Sequence, residues 1–342
     1  MNIKPLVLGV ESHLLNKNEI EILNKINPFG IILFSRNIQN KKQLKELVSK
    51  IRTEIRHDLF ILIDQEGGSV QRLSAPEWRS YPNFKNIGDL YKKSSEDALN
   101  FSYLMGRLIS YDLKLVGVDI NCSPCIDVRK EYTSNFLVNR LFSENPSIVS
   151  VLASEMIRGF KCENIIPVMK HIPGHGRAID DSHHKLPIVK SPLRELFSDD
   201  FSVFQTLNHL PMAMTAHIIY SEIDDKPATI SEKTMKVIRE NLGFDGILIT
   251  DDINMGALSG KRENKVIASL DAGCDLVLDC SGDNQIYCDL LNDIPNLNIS
   301  HINLNLDNFL NSQKNEDFIN IDNVLEEYCS ILALYSEIFI KK

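Results

Sequence analysis

The chain has 342 residues, of which 43% are hydrophobic and 24% are charged, and its formal net charge at pH 7 is −9. This length fits one large α/β barrel or two ordinary domains. The sequence lacks the cationic surplus that neutralises phosphates, so we expect no nucleic-acid partner.

The first apolar run, Pro5 to Val10, is followed directly by Glu11. A signal-peptide core needs roughly 7–15 apolar residues, so we interpret this shorter run as a strand. Elsewhere no uncharged apolar stretch approaches the roughly 18 residues of a membrane span. The 7 cysteines lack the paired spacing of a disulfide framework and fit a reducing compartment. We expect a soluble, cytoplasmic protein with no membrane partner.

Short apolar runs recur along the chain, and each is followed by a segment with helical periodicity. Near-continuous apolarity is required of a strand that is covered on both faces, so the runs predict a parallel sheet. The predicted strands lie within 5–10, 29–34, 59–64, 116–122, 166–170, 211–217, 245–250 and 275–279.

The segments between the runs predict covering helices. In 41–56, apolar residues recur on one face at helical spacing. The predicted helices are 18–26, 41–56, 95–113, 146–160, 195–209, 232–242, 262–272 and 321–340, whereas the Asn- and Asp-rich stretch 283–319 has the least regular pattern.

Eight β/α alternations predict an α/β protein, a single (β/α)8 TIM-type barrel domain over residues 1–342. A doubly wound open sheet is the competing architecture. That fold carries a glycine-rich turn after its first strand, and GVESHLL does not provide one.

Cys122 and Cys125, in INCSPCIDV, have the spacing of a redox CxxC pair. Such pairs open a helix in thioredoxin-like proteins, and this one does not. We therefore interpret both as small buried residues.

Polar residues stand where the predicted strands end, and barrel enzymes hold their chemistry at that rim. Turn residues are common at any strand end, but several converging on one rim predict an active site. The residues are Asp64, Asn121, Lys170, His171, His217 and Asp251.

The segment 170–187, after the fifth strand, contains four of the nine histidines. Loops of this length are usually lids or binding elements, and its glycines and prolines predict a mobile loop. Asp181 lies two residues before His183, close enough to orient the imidazole. Such a pair can donate and recover a proton near neutral pH.

Asp251 follows the apolar run GILIT, which places a carboxylate at a strand mouth and makes it a candidate nucleophile. Its neighbour Asp252 fits the same position on spacing alone. In IDQEGGSVQRL, the turn at 67–68 returns Arg72 towards Asp64. Carboxylate and guanidinium together suit the hydroxyls of a sugar.

At these residues the chain resembles the family 3 glycoside hydrolases, and within them the bacterial β-N-acetylhexosaminidases. KHxPGHG followed by DSHxxLP is specific to the N-acetylglucosaminidase branch. The resemblance covers nearly the whole chain in the family's order, through GIILFSRNI (30–38), IDQEGGSVQRL (63–73), MKHIPGHGRAIDDSHHKLP (169–187), AMTAHIIY (213–220), ATIS (228–231), GFDGILITDDINMGAL (243–258) and AGCDLVL (272–278).

The resemblance implies Asp251 as nucleophile and an Asp181/His183 acid/base dyad. It implies sugar contacts from Asp64, Arg72, Arg140, Lys170 and His171. Arg140 lies in VNRLFSENP, where Asn139 and Leu141 depart from the family's DRSF segment. Gln65 replaces a histidine that is common in relatives, and we treat this exchange as tolerated.

The implied reaction is a retaining double displacement on a terminal β-linked N-acetylglucosamine, with no cofactor and no metal. The implied substrate is a small saccharide or a muropeptide that carries GlcNAc-anhydro-N-acetylmuramic acid, and the implied process is peptidoglycan recycling. We expect the enzyme to be a monomer. A neutral imidazole does not repel an anion, so a phosphorylase that uses the same residues is an alternative.

Two other classes compete with this interpretation. A metal-dependent hydrolase would draw its ligands from the histidine-rich loop, but neither HxH at a strand end nor HExxH occurs. The candidate ligands are His171, His175, Asp180, His183 and His184. A non-catalytic sugar-binding barrel is the third class, against which the intact Asp181, His183 and Asp251 argue.

Overall fold

The computed structural model describes residues 2–55, 58–312 and 320–339. At its centre, eight parallel strands follow one another in chain order from β1 to β7, and β8 lies beside β1. The strands are β1 (Lys4–Gly9), β2 (Pro28–Leu33), β3 (Phe60–Ile63), β4 (Ile120–Asn121), β5 (Ile166–Ile172), β6 (Met212–Thr215), β7 (Ile247–Ile249) and β8 (Val277–Asp279).

Contacts between β7 and the start of β8 close the sheet into a barrel. Ile249 and Leu276 form a parallel bridge. The Thr250 N–H donates to the Leu276 carbonyl at 3.0 Å, and the Ile253 N–H donates to the Leu278 carbonyl at 3.1 Å. The predicted (β/α)8 TIM-type barrel is therefore confirmed, and each predicted run overlaps one barrel strand.

Helices cover the barrel on its outside, where their apolar faces bury the outer side chains of the strands. Several begin behind an asparagine whose side chain accepts a backbone N–H, as Asn16, Asn40 and Asn83 do. The α-helices are Lys17–Ile26, Lys41–Glu54, Phe84–Lys93, Ser95–Leu115, Asn135–Val138, Pro146–Lys161, Leu193–Ser198, Asp200–Thr206, Glu232–Lys236, Arg262–Ala272, Ile299–Asn311, Ile321–Leu334 and Ser336–Phe339.

One expectation about the chain's regularity is wrong. The stretch 283–319 contains the helix Ile299–Asn311, which begins behind Asn298 and buries Ile302, Leu306 and Phe309. These three apolar side chains recur at helical spacing and anchor an otherwise polar segment. Residues 313–319, also in that stretch, lie outside the described residues.

Cys122 and Cys125 are fully buried free thiols, as the CxxC interpretation expects. Burial raises the pKa of both thiols, which keeps them protonated at neutral pH. Across residues 2–55, 58–312 and 320–339, no helix combines the length and apolarity needed to cross a membrane.

Candidate active site

A cavity of about 430 Å³ opens at the C-terminal ends of the barrel strands. Its wall is mixed, because apolar side chains such as Phe34, Met214 and Met255 alternate with charged ones. Of the residues that the family resemblance assigns to the site, those that line it are Asp64, Arg72, Arg140, Lys170, His171, His183 and Asp251. Asp252, the alternative to Asp251, and His175, a candidate metal ligand, line it as well. Asp181 lies behind His183.

The structure separates Asp251 from Asp252. The Oδ1 atom of Asp252 accepts hydrogen bonds from the Asn254 backbone at 3.1 Å, the Asn254 amide at 2.8 Å and the Cys280 N–H at 3.1 Å. In Asp251, Oδ1 accepts the Asp252 N–H at 2.8 Å, and Oδ2 lies 4.0 Å from His171 Nε2. Both residues line the cavity, but Asp252 Oδ1 organises its own segment, whereas Asp251 Oδ2 lies towards His171.

Electrostatics also distinguish the two carboxyl groups. Burial opposes ionisation of Asp251, but the His171 and His217 imidazoles hold the pKa of this carboxyl below its usual range. Burial raises the pKa of Asp252. At neutral pH the cavity therefore presents Asp251 as a carboxylate, the form that a nucleophile needs.

A chain of alternating charges forms one wall of the cavity. Arg72 Nη2 lies 3.2 Å from Asp64 Oδ2, and Lys170 Nζ lies 2.9 Å from Asp64 Oδ1. Lys170 Nζ also lies 2.7 Å from Glu66 Oε1. Arg140 then donates to both oxygens of Glu66, at 2.9 and 2.8 Å. The predicted sugar-binding cations are thereby held in place by two carboxylates.

The members of this chain keep one another ionised. Burial opposes the charge on Asp64, but the Lys170 and Arg72 cations hold the pKa of this carboxyl well below its usual range. Burial likewise opposes the charge on Glu66, and Arg140 and Lys170 lower the pKa of its carboxyl. Charged groups that are already paired and oriented suit the recognition of sugar hydroxyls.

Gln65 explains why Arg72 returns to the rim. Its side-chain oxygen accepts the N–H groups of Arg72 at 2.9 Å and Leu73 at 3.0 Å, and its amide donates to the Leu73 carbonyl at 3.1 Å. This buried side chain ties together the two arms of the 65–71 hairpin.

Asp127 orients His171 from beneath. Its Oδ2 atom lies 2.8 Å from His171 Nδ1, and its Oδ1 atom accepts the His175 N–H at 2.6 Å. Burial opposes ionisation of Asp127, but His171 and His175 lower the pKa of the carboxyl to about 2. An anionic partner at Nδ1 leaves His171 Nε2 to face Asp251.

Sequence reasoning missed Glu66 and Asp127 as members of the site. Both lie within segments that were singled out for other residues, IDQEGG and CIDV. A carboxylate in an otherwise apolar or glycine-rich stretch was the available signal, because a buried carboxylate requires a cationic partner.

Asp181 and His183 meet in the loop above the cavity. The His183 Nδ1 atom lies 2.7 Å from Asp181 Oδ1, and the His183 N–H donates to the same oxygen at 2.9 Å. Phe136 meets the His183 ring edge-on, with centroids 5.5 Å apart. The imidazole is half-exposed, so it can exchange protons with solvent as well as with a bound molecule.

The proposed metal ligands of the loop do not converge. His171 pairs with Asp127, His175 Nε2 lies 3.1 Å from Ser182 Oγ, and Asp180 pairs with Lys185. Among the described residues, one group has the spacing of a metal site, namely Cys125, Asp127 and His171. In that group Asp127 is hydrogen-bonded to both Cys125 and His171.

The sequence profile of the Glycosyl hydrolase family 3 N terminal domain matches residues 5–308. The chain belongs to glycoside hydrolase family 3. It is therefore a glycoside hydrolase, and the resemblance inferred from its motifs is confirmed.

Similar proteins of this family include two with the name Beta-hexosaminidase. The one from Bordetella avium is 32% identical over 283 residues, which cover 81% of this chain and 80% of the relative. The one from Alkalilimnicola ehrlichii is 35% identical, with 82% of each chain covered.

The fold also matches a solved family 3 structure. NagZ from Neisseria gonorrhoeae, in complex with N-trifluoroacetyl-D-glucosamine, superposes with a TM-score of 0.84 and 27% identity. The match covers 99% of this chain and 98% of the NagZ chain. The whole barrel, including its outer helices, is thus shared with that protein.

Proposed function

We propose that this protein is a retaining exo-β-N-acetylglucosaminidase that removes terminal β-linked N-acetylglucosamine from a saccharide. One observation carries the proposal: an ionised Asp251 and the Asp181-bound His183 face the same cavity, beside a wall of paired sugar-binding charges. The names of the Beta-hexosaminidase relatives support the sugar class, as does the amino-sugar ligand of the similar NagZ structure.

In the first step, Asp251 attacks the anomeric carbon and forms a glycosyl ester. The bond from that carbon to the leaving oxygen breaks, and protonated His183 gives its proton to this oxygen. Asp181 stabilises the imidazolium before the transfer, because its carboxylate lies 2.7 Å from Nδ1.

In the second step, neutral His183 takes a proton from water. The resulting hydroxide equivalent attacks the anomeric carbon, the ester bond to Asp251 breaks, and the carboxylate is restored. Two inversions at one carbon release the sugar with its original β configuration.

The wall of alternating charges binds the sugar hydroxyls in this proposal. Asp64 accepts hydrogen bonds, while Arg72, Arg140, Lys170 and His171 donate them. Because Glu66 and Asp64 already hold these cations, little side-chain freedom is lost when the sugar binds.

We further propose a muropeptide that carries GlcNAc on anhydro-N-acetylmuramic acid as the substrate, in peptidoglycan recycling. In this proposal the protein acts in the cytoplasm as a monomer whose single catalytic domain spans residues 1–342. A cytoplasmic site agrees with the 7 free cysteines.

A phosphorylase is the second candidate, and His183 is the observation that favours it. An acid/base carboxylate would repel phosphate in the second step, whereas a neutral imidazole does not. Phosphate would then replace water as the acceptor, and the product would be a sugar 1-phosphate.

Proton NMR of the anomeric region during turnover of an aryl N-acetyl-β-glucosaminide tests these proposals. We expect β-N-acetylglucosamine to appear first, with or without phosphate. An initial α product would overturn the retaining mechanism, and a sugar 1-phosphate would favour the phosphorylase. If the protein bound the sugar measurably but did not turn it over, the result would support the alternative of a non-catalytic sugar-binding barrel.

A further inference from the structure

The loop that carries His183 rests on the segment that follows β7. The Gly256 N–H donates to the His183 carbonyl at 3.0 Å, and the Ala257 N–H donates to the Ser182 carbonyl at 3.1 Å. Asp251 lies at the start of the same segment. These two hydrogen bonds, which we call the loop seat, therefore join the segment that carries Asp251 to the loop that carries His183.

Gly256 leaves no space for a side chain at the seat. A Cβ atom there would lie 2.9 Å from the His183 carbonyl oxygen and 3.0 Å from the His184 carbonyl oxygen. Gly256 is not among the positive-φ residues. The close approach of the loop, rather than an unusual backbone conformation, is what requires glycine here.

If a side chain were added, the loop would move before the segment did. Ile253 is fully buried and its N–H is bonded to the Leu278 carbonyl, and Ala257 and Leu258 are 2% and 4% exposed. By contrast, the His183 side chain is 54% exposed. The anchored segment is the rigid partner and the loop is the movable one.

We propose that Gly256 is a positioning residue for proton transfer. Because it has no side chain, the Asp181–His183 turn can lie directly against its backbone, and this contact fixes the distance of the turn from the cavity. Gly256 does not touch the substrate and acts through His183. This inference rests on the proposed function, since it assigns His183 as the acid. The inference adds Gly256 as a residue that determines the position of His183.

Further contacts give the seated loop one defined position. Ser182 Oγ lies 3.1 Å from His175 Nε2, and Phe136 packs edge-on against both the His175 and the His183 ring. A misplacement of about 1 Å in a reacting group can cost about 10²-fold in rate. A methyl group at residue 256 therefore affects the step that needs the imidazole.

The test compares leaving groups in Gly256→Ala. A dinitrophenyl N-acetyl-β-glucosaminide departs without a proton, whereas the methyl glycoside needs one. We expect kcat/KM for the methyl glycoside to fall about 10- to 100-fold, and that for the dinitrophenyl glycoside to stay within about threefold. A role in folding alone would lower both to the same extent.

Gly260→Ala is the matched control, because it lies in the same segment and its Cβ atom would have nothing within 4 Å. Its φ of +101° makes alanine strained there. The control therefore measures the effect of backbone strain in this segment when no added atom contacts the loop. We expect this variant to keep the wild-type ratio between the two substrates.

Equal losses on both substrates in Gly256→Ala, or no loss on either, would overturn the positioning role while the proposed function stands. A wild-type enzyme inactive on both glycosides would instead refute the proposed function. If Gly256→Ala does not fold by circular dichroism, Ser182→Ala replaces it. That variant removes the His175 contact of the same loop and is expected to lower the methyl-glycoside rate selectively, and an unchanged ratio would overturn the proposal.

Discussion

Glu66 and Arg140 form a buried, two-point ion pair, although they are 74 residues apart in the chain. Arg140 Nε donates to Oε2 at 2.9 Å and Nη2 donates to Oε1 at 2.8 Å. A planar guanidinium held at two points cannot rotate, so Arg140 is oriented before a sugar arrives. The same carboxylate holds Lys170, which extends this fixed geometry to the next cation.

Glu66→Gln is expected to weaken both stability and sugar binding. Breaking a buried ion pair by removing one partner costs about 3–5 kcal/mol, because the remaining charge stays buried. We expect the free energy of unfolding to fall by about that amount, and KM to rise more than kcat falls. Denaturant unfolding and steady-state kinetics measure the two effects. Glu46→Gln, at a side chain that is 67% exposed, is the control and should change neither.

Asp251→Asn and Asp252→Asn are expected to differ sharply. Asn at residue 251 cannot form the glycosyl ester, so kcat should fall by about 10³-fold or more. Asn at residue 252 keeps an oxygen acceptor for the Asn254 and Cys280 donors, so activity should stay within about tenfold of wild type. Initial rates on an aryl glycoside check both, and comparable losses would contradict the assignment.

His183→Ala is expected to leave an enzyme that needs activated substrates. Without the acid, unactivated leaving groups should lose about 10²–10⁴-fold in kcat/KM, and dinitrophenolate far less. Azide should restore the second step, since it attacks without losing a proton. Detection of glycosyl azide by mass spectrometry checks this outcome, and equal loss on all substrates would argue against His183 as the acid.

Asp127 is expected to make the protein sensitive to acid. Its folded pKa of about 2 lies below the usual value of 3.8, so its ionisation stabilises the fold above about pH 4. This contribution, of about 2 kcal/mol, is lost as the pH falls from about 4 towards 2. Thermal unfolding of wild type and Asp127→Asn across this range should show a shallower loss in the variant. If wild type and variant lost stability in parallel as the pH fell, the result would contradict the lowered pKa of Asp127.

The barrel strands were predictable because burial on both faces leaves a local mark on the sequence. In β2 all six residues are buried, and the corresponding run FGIILF has no polar member. Helix Ile299–Asn311 was less predictable, since three apolar residues among asparagines and aspartates give a weak periodic signal. The surrounding structure, which covers those three side chains, stabilises the helix.

Much of the site was also predictable, because catalytic residues in a barrel follow strands. Asp64, Lys170, His171 and Asp251 all stand at strand ends and all line one cavity. The partners that orient them were not predictable in the same way. Nothing local to Asp127 indicates that it lies under His171, 44 residues away.

By itself, the sequence determined the parallel barrel, the family and the rim residues, since hydrophobic period and motif spacing are local properties of the chain. Only the tertiary structure showed that Asp251 and Asp252 have different surroundings, because the Cys280 N–H that donates to Asp252 Oδ1 comes from the end of another strand. The close approach of Gly256 to the His183 carbonyl likewise depends on the tertiary structure, because it joins two segments that are distant in the chain. Hydrogen bonds and clashes between distant segments depend on how the barrel closes, and no local pattern encodes that closure.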